Sequence, residues 1–132
     1  MEHYIKDLDD IIENYPKYFS QKKFTQWRSL FDDNATMIKV EGTKMVSSAS
    51  LYDAMPEQRE YGKENKIFIE QWYGIEKHEY GNLATIKANY SLITDKEKRE
   101  GVDVLTLHKG ENGWKIVNLI YEQINLTIFC LL

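Results

Sequence analysis

Apolar positions at the start of the chain recur every three or four residues. Ile5, Leu8, Ile12, Tyr15 and Phe19 make one stripe, which predicts an amphipathic helix. Asp7, Asp9, Asp10 and Glu13 fall on the remaining surface near the helix start, where negative charge is favourable. Pro16 cannot donate to Ile12 and is expected to kink this helix. A second helix is predicted from Lys22 to Phe31, with Ser20 near its cap and Phe24, Trp27 and Phe31 on one face. Asp32-Asp33-Asn34 is expected to end it, and Thr36 to Glu41 reads as a short strand stopped by Gly42. Ser50 with Asp53 resembles a capping box, so a third helix follows with Leu51, Tyr52 and Met55 inward.

The period then changes to two. Lys66 to Glu79 reads as a long strand with Ile67, Ile69, Tyr73 and Ile75 on one face and Gly74 at a bulge or bend. After a Tyr80-Gly81-Asn82 turn, Ala84, Ile86, Ala88, Tyr90 and Leu92 alternate with Thr85, Lys87, Asn89 and Ser91. Thr94 to Glu100 is expected to be a charged loop. Val102 to His108 is the next strand, Lys109 to Gly113 turns the chain, and Trp114 to Tyr121 is the last confident strand. The apolar tail Ile124 to Leu132 either extends that strand or covers a groove on a partner. Helices followed by an antiparallel meander predict the α+β class, as one domain over residues 1–132.

Alternation makes Asp103 the most informative residue, because it shares a strand face with Leu105 and Leu107. A carboxylate there needs a raised pKa, a partner or a ligand. It is either a neutral carboxylic acid donating to a ligand oxygen or a structural acceptor of tyrosine or backbone donors. Trp72, Trp114, Tyr73 and Tyr90 are either core aromatics or platforms for a flat ligand. His3, His78 and His108 lack metal-ligand spacing to any cysteine or carboxylate cluster, so no metal and no cofactor are expected.

The net charge of -4 provides no basic field, which argues against a nucleic-acid partner. No stretch is long and apolar enough for a membrane span. The acidic opening Met1 to Asp10 lacks a leader pattern, and Cys130 is the single cysteine, so a cytoplasmic, reducing setting is expected. The acceptor pattern Asn125-Leu126-Thr127 is then a chance match.

Trp27 to Met37, Gly101 to Leu107 and Gly113 to Asn118 carry a resemblance to the nuclear transport factor 2-like superfamily, with its ketosteroid isomerase and polyketide-cyclase-like relatives. The last two stretches are similar to a branch named for lumazine binding. The resemblance covers Tyr4 to Tyr121. It implies a cystatin-like cone, with N-terminal helices packed on a strongly curved, mostly antiparallel sheet that encloses a pocket. It also implies a homodimer whose sheets meet back to back. Carried over from ketosteroid isomerase, the two oxyanion donors fall on Tyr15 and Asp103, while the general-base position falls on Lys39. The isomerase activity therefore lacks its proton-moving group.

The expected function is small-molecule binding, with Asp103 and Tyr15 anchoring a ligand oxygen among Phe19, Tyr90 and Leu105. One alternative is an isomerase, cyclase or dehydratase working by oxyanion stabilisation, with Tyr15 and Asp103 catalytic. Another is a protein-interaction module with a vestigial pocket.

Overall fold

In the computed structural model, which describes residues 4–129 (Tyr52 by its backbone alone), the first helix, α1, spans Leu8–Ser20. Asp7 caps it, its side chain accepting from the Asp10 N–H at 3.1 Å. The buried stripe is Leu8, Ile11, Tyr15 and Phe19. Ile11 thus takes the place expected for Ile12, which is half-buried. The phase differs because Ile5 precedes the helix and instead bridges to Gly113 in parallel. Pro16 lies inside α1, which continues past it to Ser20.

The second helix, α2, is only Phe24–Arg28. Lys22 adopts φ +58 and belongs to the preceding turn. Leu30 is drawn into the sheet region, its carbonyl accepting from the Ile116 N–H at 2.9 Å. Ser20 does not cap α2, for reasons that matter at the site below.

Strand β1 runs Phe31–Glu41, so Asp32-Asp33-Asn34 continue a strand rather than ending a helix. It turns at Gly42, φ +56, into β2, Lys44–Ser50. No strand was expected there, because most of β2 is exposed and it has no apolar face. Helix α3, Leu51–Glu64, starts at the predicted cap: the Asp53 N–H donates to Ser50 Oγ at 3.2 Å. Leu51 and Met55 are buried as expected.

Four long strands follow: β3 Phe68–Tyr80, β4 Leu83–Thr94, β5 Glu97–Gly110 and β6 Gly113–Ile128. The charged loop expected over Thr94 to Glu100 shrinks to a two-residue turn, because β5 already begins at Glu97. The apolar tail extends β6, where Leu126 and Ile128 pair with Arg99 and Glu97. Cys130 to Leu132, like His3, lie outside the described residues.

The sheet order is β2-β1-β6-β5-β4-β3. Every pairing is antiparallel except β1 with β6. The helices pack on this curved mixed sheet, which is the expected α+β architecture. Register shifts at Lys39/Val40, Tyr73/Glu76 and Glu100/Gly101 bend it, the second beside Gly74 with φ +61. The core lies between α1, α2 and the inner face, with Trp27, Ile86, Leu105, Leu107 and Ile116 fully buried.

One predicted face is reversed. Ile67, Ile69, Tyr73 and Ile75 are 51, 46, 52 and 37% exposed. The inward residues of β3 are instead Phe68, Glu70 and Trp72.

Candidate ligand pocket

Strand β5 delivers Asp103 inward, next in the sheet to Ala88 of β4 and Tyr121 of β6. The carboxyl is buried as alternation predicted. Ala88 offers only a methyl beside it, which leaves space over the strand. Gly101, one inward position along, also has no side chain. A Cβ there would meet the Glu122 carbonyl oxygen at 1.9 Å and the Tyr90 ring at 2.7 Å, so glycine is what allows Tyr90 to lie across β5.

The Trp72 indole N–H donates to Asp103 Oδ2 at 2.9 Å. Trp72 is also stacked on Tyr15 of α1, with ring centroids 4.3 Å apart and planes at 20°. Tyr15 in turn meets Trp27 edge-on at 5.7 Å. An unbroken aromatic contact therefore joins the helix layer to the strand carboxyl.

Glu70 enters from β3, two residues before Trp72. Because β3 is an edge strand, the outward backbone groups of Glu70 have no neighbouring strand. Ser20 at the end of α1 fills that need. The Glu70 N–H donates to Ser20 Oγ at 2.8 Å, and the Ser20 hydroxyl donates to the Glu70 carbonyl at 3.1 Å. The Glu70 carboxyl turns inward, and its Oε2 is buried without a hydrogen-bond partner.

These groups surround a cavity of about 130 Å³. Tyr15, Phe19, Tyr61, Tyr90 and Tyr121 supply aromatic walls, and Met37, Leu92 and Leu119 aliphatic ones. Glu70, Asp103, Arg99, Gln58 and Gln123 are the polar lining. Arg99 is engaged at the rim, its Nε donating to Glu97 Oε1 at 2.7 Å while its guanidinium lies 4.7 Å from the Tyr61 ring centre. The Tyr61 hydroxyl donates to the same Glu97 oxygen at 2.7 Å.

Burial dominates the electrostatics. It pushes the Asp103 carboxyl up to about 7, with the Trp72 hydrogen bond opposing. Burial, and then the charge of Asp103, hold Glu70 well above the ordinary carboxylate range. The phenols of Tyr15, Tyr90 and Tyr121 are all raised, by burial first and by Asp103 second. Near neutral pH the site therefore offers neutral phenols and two carboxyl groups that hold protons unusually well.

Of the residues expected around a ligand, Tyr15, Phe19, Tyr90 and Asp103 meet at the cavity. Leu105 is fully buried in the core beside them and does not line it. Lys39 pairs with Glu41 at 3.4 Å on β1 and is not part of the cavity wall. Trp114 is buried elsewhere in the core, and Tyr73 is exposed. His78 and His108 are exposed, and among the described residues no group of three or more His, Cys, Asp or Glu could hold a metal ion. Sequence reasoning missed Glu70, Tyr61, Arg99 and Tyr121. The usable signal for Glu70 was its alternation with Phe68 and Trp72, the same signal that marked Asp103.

No family model and no curated protein matches the chain. Solved structures do. A candidate scytalone dehydratase from Novosphingobium aromaticivorans superposes with TM-score 0.75 at 13% identity, over 94% of this chain and 86% of its own. The beta subunit of benzoate 1,2-dioxygenase from Burkholderia mallei gives 0.74 at 12% identity, over 92% and 93%. A nuclear transport factor 2-like protein of unknown function from Shewanella baltica gives 0.66 at 16% identity, over 89% and 90%. One architecture thus carries an enzyme-like protein, an oligomer subunit and a protein without assigned activity. With helices laid on a curved six-stranded mixed sheet, this chain has the nuclear transport factor 2-like fold.

Proposed function

We propose that this chain is a small-molecule-binding domain, a single unit over residues 1–132, whose ligand sits in the cone pocket against Asp103 and Tyr15. The observation that carries this reading is a buried carboxyl at the wall of a mainly aromatic cavity. A buried acid is costly to keep unless something uses it, and a ligand is such a use. The cavity, about 130 Å³ and partly open to solvent, can admit a small organic molecule. An open cavity also weighs against the interaction module with a vestigial pocket. The test is native mass spectrometry of protein purified without denaturation, followed by carbon NMR of the Asp103 carboxyl on adding candidates, lumazine among them. An Asp103 signal that no bound molecule moves would sink the reading.

Glu70 favours a second reading, an enzyme of the isomerase, cyclase or dehydratase type. It supplies an acid–base group at the cavity where the Lys39 position supplies none. Turnover lost in Glu70→Gln with ligand binding intact would support it.

We also propose a homodimer in a reducing, cytoplasmic setting, formed through the outer sheet face. Val104 and Ile120 are register partners there and 41 and 39% exposed, with Ile69 and Tyr73 exposed as well. Among the described residues no helix is long and apolar enough to cross a membrane. Analytical ultracentrifugation should give twice the 15.6 kDa chain mass at micromolar concentration. A monomer would reject this association.

A further inference from the structure

Asp103 alone suits a ligand with an oxygen acceptor. Glu70 changes the chemistry, because the cavity then holds a second carboxyl, on a half-buried residue whose Oε2 is out of solvent. Among the described residues the one basic side chain on its wall is Arg99, which Glu97 already engages. Neither Asp103 nor Glu70 owes any part of its shift to a cation. Glu70 Oε2, sealed from water, accepts from no donor at all. Two acids without counter-charge avoid the cost of a desolvated charge by holding their protons, and a bound cation is the partner that lets them ionise in place.

The walls point the same way. Tyr15, Tyr90 and Tyr121 present aromatic rings around the two carboxyls, and ring faces attract a desolvated cation. We propose that the pocket takes a small organic ammonium, a protonated amine whose N–H groups meet Glu70 and Asp103 and whose carbon skeleton lies against these rings. The proposal rests on the pocket reading above and names the ligand class for it.

The proton balance makes it testable. The amine arrives with its proton, and carboxyl groups that were neutral release theirs to solvent as the ion pairs form. Other titratable groups face the pair from α1 (Tyr15), α3 (Tyr61), β4 (Tyr90), β5 (Arg99) and β6 (Tyr121). All four phenols are raised. Glu97, which holds Arg99, is lowered and stays charged. Near neutrality, proton release on binding therefore belongs to Glu70 and Asp103.

The probes are cyclohexylammonium and cyclohexanol, alike in shape and different in charge, measured on the full chain by calorimetry in buffers of unlike ionisation heat. Cyclohexylammonium should bind at least about tenfold tighter than cyclohexanol, with proton release, and should tighten from about pH 6 to about pH 8. Glu70→Gln keeps the side chain's shape and should reduce both the ammonium affinity and the proton release. Asp103→Asn gives a second variant should Glu70→Gln fold poorly. Equal binding of cyclohexanol overturns the ammonium class and leaves the pocket reading standing. Ammonium binding that is flat or weaker at higher pH, or absent altogether, also overturns it. The pocket reading itself fails separately, on an Asp103 carboxyl that no bound molecule perturbs.

Discussion

The two ends of the β5 inner face are built on opposite terms. At one end Leu107 sits beside Ala84 and Ile116, all essentially without exposure, with Leu8, Ile11 and Trp27 also in the core. At the other end the inward positions are Asp103, Gly101 and Arg99, and the space above them is a cavity. The first end is close-packed apolar surface, whose contribution comes from area removed from water and from filled volume. The second holds an acid that is harder to ionise and leaves volume unfilled. Stability alone would have continued the leucines. The difference separates residues that hold the cone together from residues that the cone holds.

The largest test of that contrast is truncation at the sealed end. Leu107→Ala, or Leu8→Ala, should cost about 2–5 kcal/mol in equilibrium urea unfolding. Asp103→Asn should cost less than about 1 kcal/mol, since amide and carboxyl match in shape and a neutral group is easier to bury. Equal costs at both ends would erase the distinction.

Next in size is the dependence on pH. The folded carboxyl of Asp103 holds its proton up to about 7, against about 4 in an unfolded chain. Its stabilising contribution is fully present below the unfolded value and is lost as pH rises through the folded one. Glu70 acts with the same sign. Wild-type stability should therefore fall by on the order of a few kcal/mol between about pH 4 and about pH 7, a trend that Asp103→Asn should flatten. A wild-type advantage over Asp103→Asn that grows across this window would mean a charged, paired aspartate.

Smaller effects sharpen the comparison. Ser20→Ala removes both hydrogen bonds to the Glu70 backbone and should cost about 1–3 kcal/mol. It should also loosen the strand beneath the cavity, so the Glu70 carboxyl should titrate closer to its ordinary value by NMR. Ser50→Ala, at the cap of α3, should cost about 1 kcal/mol and leave the Asp103 titration unmoved.

Asp103 was legible because β5 alternates without interruption from Gly101 to Leu107. Glu70 was not, because the more conspicuous apolar set, Ile67, Ile69, Tyr73 and Ile75, lies on the outer face. Periodicity reports that a strand has two faces, and the apolar set was taken as the inner one. Here a carboxyl between Phe68 and Trp72 marked the inside. Strand β2 escaped notice because its pairing with β1 rests on backbone hydrogen bonds, for which Lys44 to Ser50 gives no side-chain pattern. The start of β1 was obscured by inward residues at Phe31, Ala35 and Met37, whose uneven spacing follows the shift in its pairing with β6. Whether a cavity lies under Asp103 depends on sheet curvature and on small neighbours such as Ala88 and Gly101, which no local pattern encodes.

The parallel pairing of β1 with β6 has a consequence for the order of assembly. Thr36 and Asn118, bonded across these strands, are 82 residues apart in the chain. Closing so long a loop is entropically the last contact to be favoured, while the hairpins from β3 to β6 close locally. During synthesis β1 emerges well before its partner, with Phe31 and Met37 lacking the strand that completes their surroundings. A refolding chain should therefore gain protected amides in β4 and β5 first. The seam between β1 and β6 should be the last to resist hydrogen exchange.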